Sequence, residues 1–240
     1  MRRRILADYH IHSNYSPDSE ATVEDIIQVA HERGIEHIII TDHYELADEH
    51  ANVIDVENYR KEMEKYSLLV GVELGWDGVK QLDVDTKKFD YVLISHHYVE
   101  EPITQQSYKN YLLRLLNIIQ RFDGYHALAH LDFPRRYHKE KEPFSHELYD
   151  IVSEIYKVLI KNGKALEVNT ASIIAYGEPN PSIELLKLYR SLGGRNITVG
   201  SDAHRLEDIG RGIERGIEIL KDIGYNYILV LDAEWREIKI

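Results

Sequence analysis

Short apolar, β-branched runs recur along the whole chain with helix-patterned segments between them, and this alternation restricts the fold more than any other feature. The runs predict strands at Ile5–His10, His37–Thr41, Leu68–Glu73, Tyr91–Ser95, His126–His130, Ala165–Asn169 and Ile197–Gly200, with "YNYILVL" as an eighth. Between them, "TVEDIIQVAHERG" opens on a Thr cap, keeps its apolar residues at helical spacing and stops at Gly34. The segments "SYKNYLLRLLNIIQRF", "HELYDIVSEIYKVLIKNG", "SIELLKLYRSLGG" and "LEDIGRGIERGIEILKDIG" follow the same pattern, most of them closing on glycine. Regular βα alternation predicts an α/β fold with a parallel sheet, and seven units without a long linker favour a TIM-like barrel over an open doubly wound sheet. One domain over residues 1–240 is the expectation. The tracts "HYELADEHANVIDVENY" and "RRYHKEKEPFSHE" read as polar loops shaping an active-site mouth.

Polar residues interrupt these runs at one end only. His10 and His12 close the first strand, His43 follows the second and Glu73 ends the third. His97 follows the fourth, His130 ends the fifth, and Asp202 and His204 follow the seventh. In an extended segment residues i and i+2 share a face, so His10 and His12 point together and can grip one ion. The other residues converge because barrel strands open onto one rim. A single HxH pair in a strand is ordinarily structural; the same residue types past six separate strands predict a metal centre. With Asp18, nine candidate ligands exceed what one ion can use, so a cluster of two or three divalent ions is expected, with Glu73 and Asp202 as natural bridges.

Composition narrows the chemistry. With no Cys, the ligands are His, Asp or Glu, a donor set suited to zinc, manganese or iron. A formal net charge of -12 argues against a nucleic-acid backbone as partner. The apolar run in "MRRRILADYH" is too short for a signal peptide and no stretch approaches ~18 apolar residues, which makes the cytoplasm the expected compartment.

The motifs "DYHIHSNYSPD", "ITDH", "GVE", "SHHY", "AHLD" and "GSDAH" together resemble those of the polymerase and histidinol phosphatase (PHP) superfamily, in the family's order. The resemblance implies a distorted seven-stranded βα barrel with a trinuclear metal site. By motif position His10, His12, Glu73 and Asp202 hold one ion, Glu73, His97 and His130 a second, and Asp18, His43 and His204 a third. The serine-any-histidine spacing selects His97 over His96. The segments "FDYVLISHHYV", "HLDFPRRY" and "LEVNTASIIAYGEPNPSIELLKLYRSLGG" look like those of the stand-alone histidinol phosphatase group, which implies hydrolysis of histidinol phosphate. One position departs: Ile174 stands where that group has a phosphate-holding arginine, which leaves the exact substrate open.

The implied mechanism uses two close divalent ions, fixed by Asp202 and Glu73, to turn a bridging water into hydroxide for in-line attack, while the third ion takes a phosphate oxygen. Arg136 is the favoured guanidinium clamp for the phosphate, with Arg135 beside it and Arg205 after ligand His204 as further candidates. Asp132 is either an orienting or proton-donating group or a buried structural one; His138 reads as a solvated loop histidine. Tyr98 and Tyr137 are candidates for the pocket wall. Arg2–Arg4 read as a solvated edge, and His31, His37, His50, His126 and His146 as structural or surface residues.

The leading expectation is therefore a metal-dependent phosphatase acting on a small phosphorylated metabolite. A phosphodiesterase or exonuclease, a tyrosine-protein phosphatase and a non-catalytic metal-binding module are the alternatives.

Overall fold

The computed structural model describes residues 5–46 and 52–240; Arg2–Arg4 and His50 lie outside the described residues. Strand β1 (Ile5–Ile11) pairs in parallel with β2 (Ile35–Ile40). A parallel sheet of six strands follows in chain order: β3 (His43–Glu45), β4 (Gly71–Gly75), β5 (Tyr91–Ser95), β6 (Ala127–Leu128), β7 (Ala165–Asn169) and β8 (Ile197–Gly200). All residues of β4, β5, β7 and β8 are buried, which is why these strands read as nearly unbroken apolar runs.

The ladder is thus six strands and a separate pair rather than the seven equal strands expected, and an isolated bridge ties the end of β1 to the far side of the sheet. His12 N–H donates to the Ala203 carbonyl (2.8 Å) and Ala203 N–H to that of His10 (3.3 Å), tying the end of β1 to the segment after β8. On the other side the chain itself crosses the seam, since β3 begins three residues after β2 ends and Glu73 N–H donates to the Asp42 carbonyl (3.0 Å) just ahead of β3.

Helices α1 (Val23–Arg33), α2 (Val56–Lys65), α3 (Gln105–Arg121), α4 (Tyr149–Lys161), α5 (Ala171–Tyr176), α6 (Ile183–Ser191) and α7 (Ile213–Ile223) fill the connections. Each longer helix buries one stripe, as α4 does with Val152, Ile155, Tyr156 and Leu159. Helix α1 starts where Thr22 Oγ1 accepts from Asp25 N–H, a cap worth about 1 kcal/mol, and ends on Gly34 at φ 71°.

Three segments differ from the sequence reading. The tract read as a polar loop contains β3 and leads into α2, which buries only Tyr59 and Met63, too sparse a stripe to stand out among charged neighbours. The last predicted helix is shortened because Gly210 and Gly212 adopt left-handed φ values of 73° and 79°, so α7 begins only at Ile213. The eighth run forms β9 (Tyr227–Leu231), which pairs antiparallel with β10 (Trp235–Lys239) instead of joining the parallel sheet. This hairpin covers the end of the strands away from the metal-ligand motifs. Tyr9 Oη accepts from Leu231 N–H (2.8 Å), and the Trp235 ring packs beside Tyr91 and His126.

Candidate metal centre

The alternation of β1 sets the rings of His10 and His12 5.0 Å apart, both buried, at the end of the strand. Glu73, in the middle of β4 and opposite His43 in register, receives the remaining residues. Its Oε1 lies 3.0 Å from His130 Nε2 and 3.1 Å from His97 Nε2. Its Oε2 lies 3.0 Å from His43 Nδ1, 3.3 Å from His10 Nε2 and 3.7 Å from His12 Nε2. One buried carboxylate therefore stands among five imidazoles. Asp202 Oδ1 faces His10 and His12 at 3.4 and 3.3 Å, and Asp18 Oδ2 faces His204 at 3.1 Å and His43 at 3.6 Å.

All nine predicted ligands thus meet in one cluster. Four overlapping groups have ligand atoms within 4.8 Å of one another: His10, His12 and Asp202; His10, Glu73 and His130; His43, Glu73 and His97; and His12, His43 and His204. His96 points elsewhere: Nδ1 lies 3.1 Å from the Trp76 carbonyl, the ring stacks on Tyr111, and burial pushes its pKa down to about 4.

The residues fit divalent metal. The Nε2 atoms of His10 and His12 are buried, have no hydrogen-bond partner, and face two carboxylates, an arrangement that a shared cation satisfies. The electrostatics agree. Burial raises the pKa of Glu73 and Asp202, yet the surrounding imidazoles, and Arg136 for Asp202, outweigh it and hold both well below the usual carboxylate range. Burial opposes charge on His43 and His97, but Glu73 and its neighbouring carboxylates lift them to about 10 and about 9. His12, buried among other imidazoles, is pushed well below its ordinary value.

Backbone strain and buried acids hold the ligand loops. Asp202 sits at φ 55°, in the left-handed region that a β-carbon disfavours. Asp8 accepts from Ser201 N–H (2.8 Å), Ser201 Oγ (2.6 Å) and Gly210 N–H (2.8 Å), clamping the loop that carries Asp202 and His204. Asp42 does the same for the loop of Asp18, accepting from Ser13 N–H and Ser13 Oγ (both 2.6 Å) and Ser16 Oγ (2.7 Å).

The sequence reading passed over these two residues and three others. Glu45 Oε2 lies 2.7 Å from His97 Nδ1, Glu167 Oε1 lies 2.6 Å from His10 Nδ1, and Asn169 donates to Asp202 Oδ2 at 3.1 Å. The signal was present: Glu167 and Asn169 alternate with Leu166 and Val168 in β7, as His10 and His12 do in β1, and Glu45 follows His43 by two.

The cluster opens into a cavity of about 300 Å³ lined by Asp18, Phe133, Arg136, Tyr137 and the histidines around Glu73. Arg136 is the arginine that reaches it, with Nη1 2.7 Å from Asp202 Oδ2 and Nη2 2.8 Å from Asn169 Oδ1. Arg135 is instead drawn away to Glu178 (2.6 Å) and the Lys141 carbonyl (2.6 Å). Arg205 is 76% exposed and pairs with Glu207, over a neighbouring groove that begins at Asp18 and His204. Tyr98 and Ile174 are exposed and do not line the cavity. Asp132 is structural, accepting from Asn180 Nδ2 (2.7 Å) and Ser182 N–H (3.1 Å), and His138 Nδ1 accepts from Glu140 N–H within its own loop.

Residues 8–171 match the model of the PHP domain. The chain belongs to the PHP domain family. Asp202 and His204 lie beyond the matched segment of this PHP protein, and the Ile11–Ala203 bridge brings them to it. A probable histidinol-phosphatase of Thermotoga maritima is 42% identical over 98% of this chain and 100% of its own. The histidinol-phosphatase of Lactococcus lactis is 27% identical over 97% of this chain and 98% of its own. A crystal structure of histidinol phosphate phosphatase from the same organism, with zinc, L-histidinol and phosphate, has a TM-score of 0.83 at 24% identity, covering 98% of this chain and 100% of that one. It shares the fold. No helix among the described residues is long and apolar enough to cross a membrane.

Proposed function

We propose that this metal-dependent phosphatase hydrolyses a small phosphate monoester, histidinol phosphate, to histidinol and phosphate in the cytoplasm, its 240 residues acting as one domain around two or three divalent ions. The observation that carries this reading is Glu73 standing among five imidazoles at the floor of a cavity. The names of the Thermotoga and Lactococcus relatives support the substrate, and a cavity of about 300 Å³ suits a metabolite-sized ligand.

His10, His12 and Asp202 would hold one ion, Glu73, His97 and His130 a second, and Asp18, His43 and His204 a third, with Glu73 reaching more than one. Bound ions supply Lewis acidity, making a water nucleophile available near neutral pH and offsetting charge on phosphoryl oxygens. The chain's own part is orientation. Asp202 turns Oδ1 to the histidines, while Arg136 and Asn169 hold Oδ2, so the carboxylate cannot rotate. Arg136, on the cavity wall, offers its cation to the phosphate. Arg135 and Arg205 take no part.

The test is phosphate release by zinc- or manganese-loaded protein on histidinol phosphate, phosphotyrosine, sugar and nucleotide phosphates and a diester, beside His12→Ala. Strong preference for histidinol phosphate, lost in the variant, is expected. Preference for the diester or for phosphotyrosine would replace this substrate with another, and no metal-dependent turnover would reduce the protein to a metal-binding module.

A further inference from the structure

Two carboxylates and two glycines stand behind the cluster in the same arrangement. In the first, Glu45 at the end of β3 meets His97 Nδ1 at 2.7 Å, while His97 Nε2 faces Glu73. Gly75, paired with Glu45 in register, lies so close that a methyl group there would land on the Glu45 carboxylate. In the second, Glu167 in β7 meets His10 Nδ1 at 2.6 Å, while His10 Nε2 faces Glu73 and Asp202. Gly200, at the end of β8, would place a methyl group onto His10 and 2.8 Å from Glu167 Oε1.

An ionised carboxylate only accepts, so it keeps the proton on Nδ1 and leaves the Nε2 lone pair for an ion, while making the imidazole a stronger donor. His12 has a neutral partner at Nδ1 instead, the Ser16 hydroxyl at 3.2 Å. We infer that Glu45 and Glu167 are positioning residues that present Nε2 of His97 and His10 to the metal, and that the missing side chains of Gly75 and Gly200 make room for them. The inference rests on the metal reading of the site. It goes beyond the ligands, assigning two glycines a part in metal affinity that they exert without touching an ion.

Zinc affinity, measured by competition with a chromophoric chelator, separates the possibilities. Glu45→Ala is expected to weaken the tightest binding by about 10–100-fold, and Glu45→Gln by less, since its amide oxygen still accepts from Nδ1. Gly75→Ala should match Glu45→Ala, because the new methyl group displaces the carboxylate. The double variant Glu45→Ala/Gly75→Ala should bind no more weakly than Glu45→Ala alone, since both changes remove one interaction. In ¹⁵N-histidine spectra of the zinc-loaded protein, the Nδ1–H of His97 should stay protected from solvent exchange in Glu45→Gln and exchange rapidly in Glu45→Ala. Glu167→Gln should shift zinc binding in the same direction as Glu45→Gln. Unchanged zinc affinity in Glu45→Ala and Gly75→Ala, or a rise in KM alone, would overturn the inference in favour of a substrate contact. Additive losses in the double variant would overturn the role of Gly75. Wild-type protein that fails to compete for zinc at all would overturn the metal reading itself.

Discussion

The floor and the rim of the metal centre are built differently. On the floor, His10, His130 and Glu73 are at most 1% exposed and project from or just beyond strands, with Glu167 packed behind them. On the rim, Asp18 is 53% and His204 31% exposed, and both ride on loops that depend on Asp42 and Asp8 for their shape. A ligand on the floor is fixed by the sheet and by the shape of the core around it. A residue on the rim is fixed by a few hydrogen bonds to a buried acid, so an ion held there would be bound more loosely and exchange more easily with solvent.

This contrast can be broken by measurement. Glu73→Gln should cause the largest loss, lowering kcat by more than about 100-fold and stripping most of the metal, because every floor histidine faces that carboxylate. Metal analysis together with kcat checks it; full metal content with normal kcat would dissolve the distinction. Next, Asp18→Asn should lose only the rim ion, with a fall in activity of about 10-fold that added zinc partly restores. A loss as large and as resistant to added metal as that of Glu73→Gln would mean that rim and floor bind as one unit. Smaller again, Arg136→Lys keeps the charge but loses the fork that spans Asp202 and Asn169, so KM for the monoester should rise several-fold with most of the metal retained.

The same contrast explains what the sequence made legible. The floor was readable because strand periodicity assigns a face, and His10 and His12 announce theirs by spacing alone. The same rule applied to Glu167 and Asn169 would have found the residues that hold His10 and Asp202, but polar residues inside an apolar strand carry no label separating a ligand from its support. The arginines were less legible. Arg135 and Arg136 are adjacent in a single 3-10 turn, and only the three-dimensional partners, Glu178 for one and Asp202 for the other, decide which faces the cavity. Helix α2 stayed hidden because its stability comes from Tyr59 and Met63 against the sheet and from the Asp55 cap, not from a broad apolar stripe.

The smallest expected effect lies at neither floor nor rim but beneath β6, at the far end of the sheet. His126 Nδ1 accepts from Val92 N–H at 2.9 Å, a bond that needs the unprotonated nitrogen. Burial and then the nearby Lys164 cation depress its pKa below the ordinary 6.5. The folded protein therefore prefers neutral His126 while the unfolded chain takes up the proton first. This contribution is fully present above about pH 6.5 and is lost as the pH falls below it toward the depressed folded value. His126→Asn supplies an uncharged amide acceptor in place of the ring nitrogen, so its Tm should decline less than that of the wild type between pH 7 and 5. Comparing the two proteins cancels the titration of the shared cluster. Phosphatase activity and zinc affinity at pH 7 should be unchanged, since no ligand contacts the ring. A parallel decline in both proteins would show that the acid sensitivity of the fold resides in the cluster alone; altered zinc affinity would show that the far end of the sheet communicates with the floor.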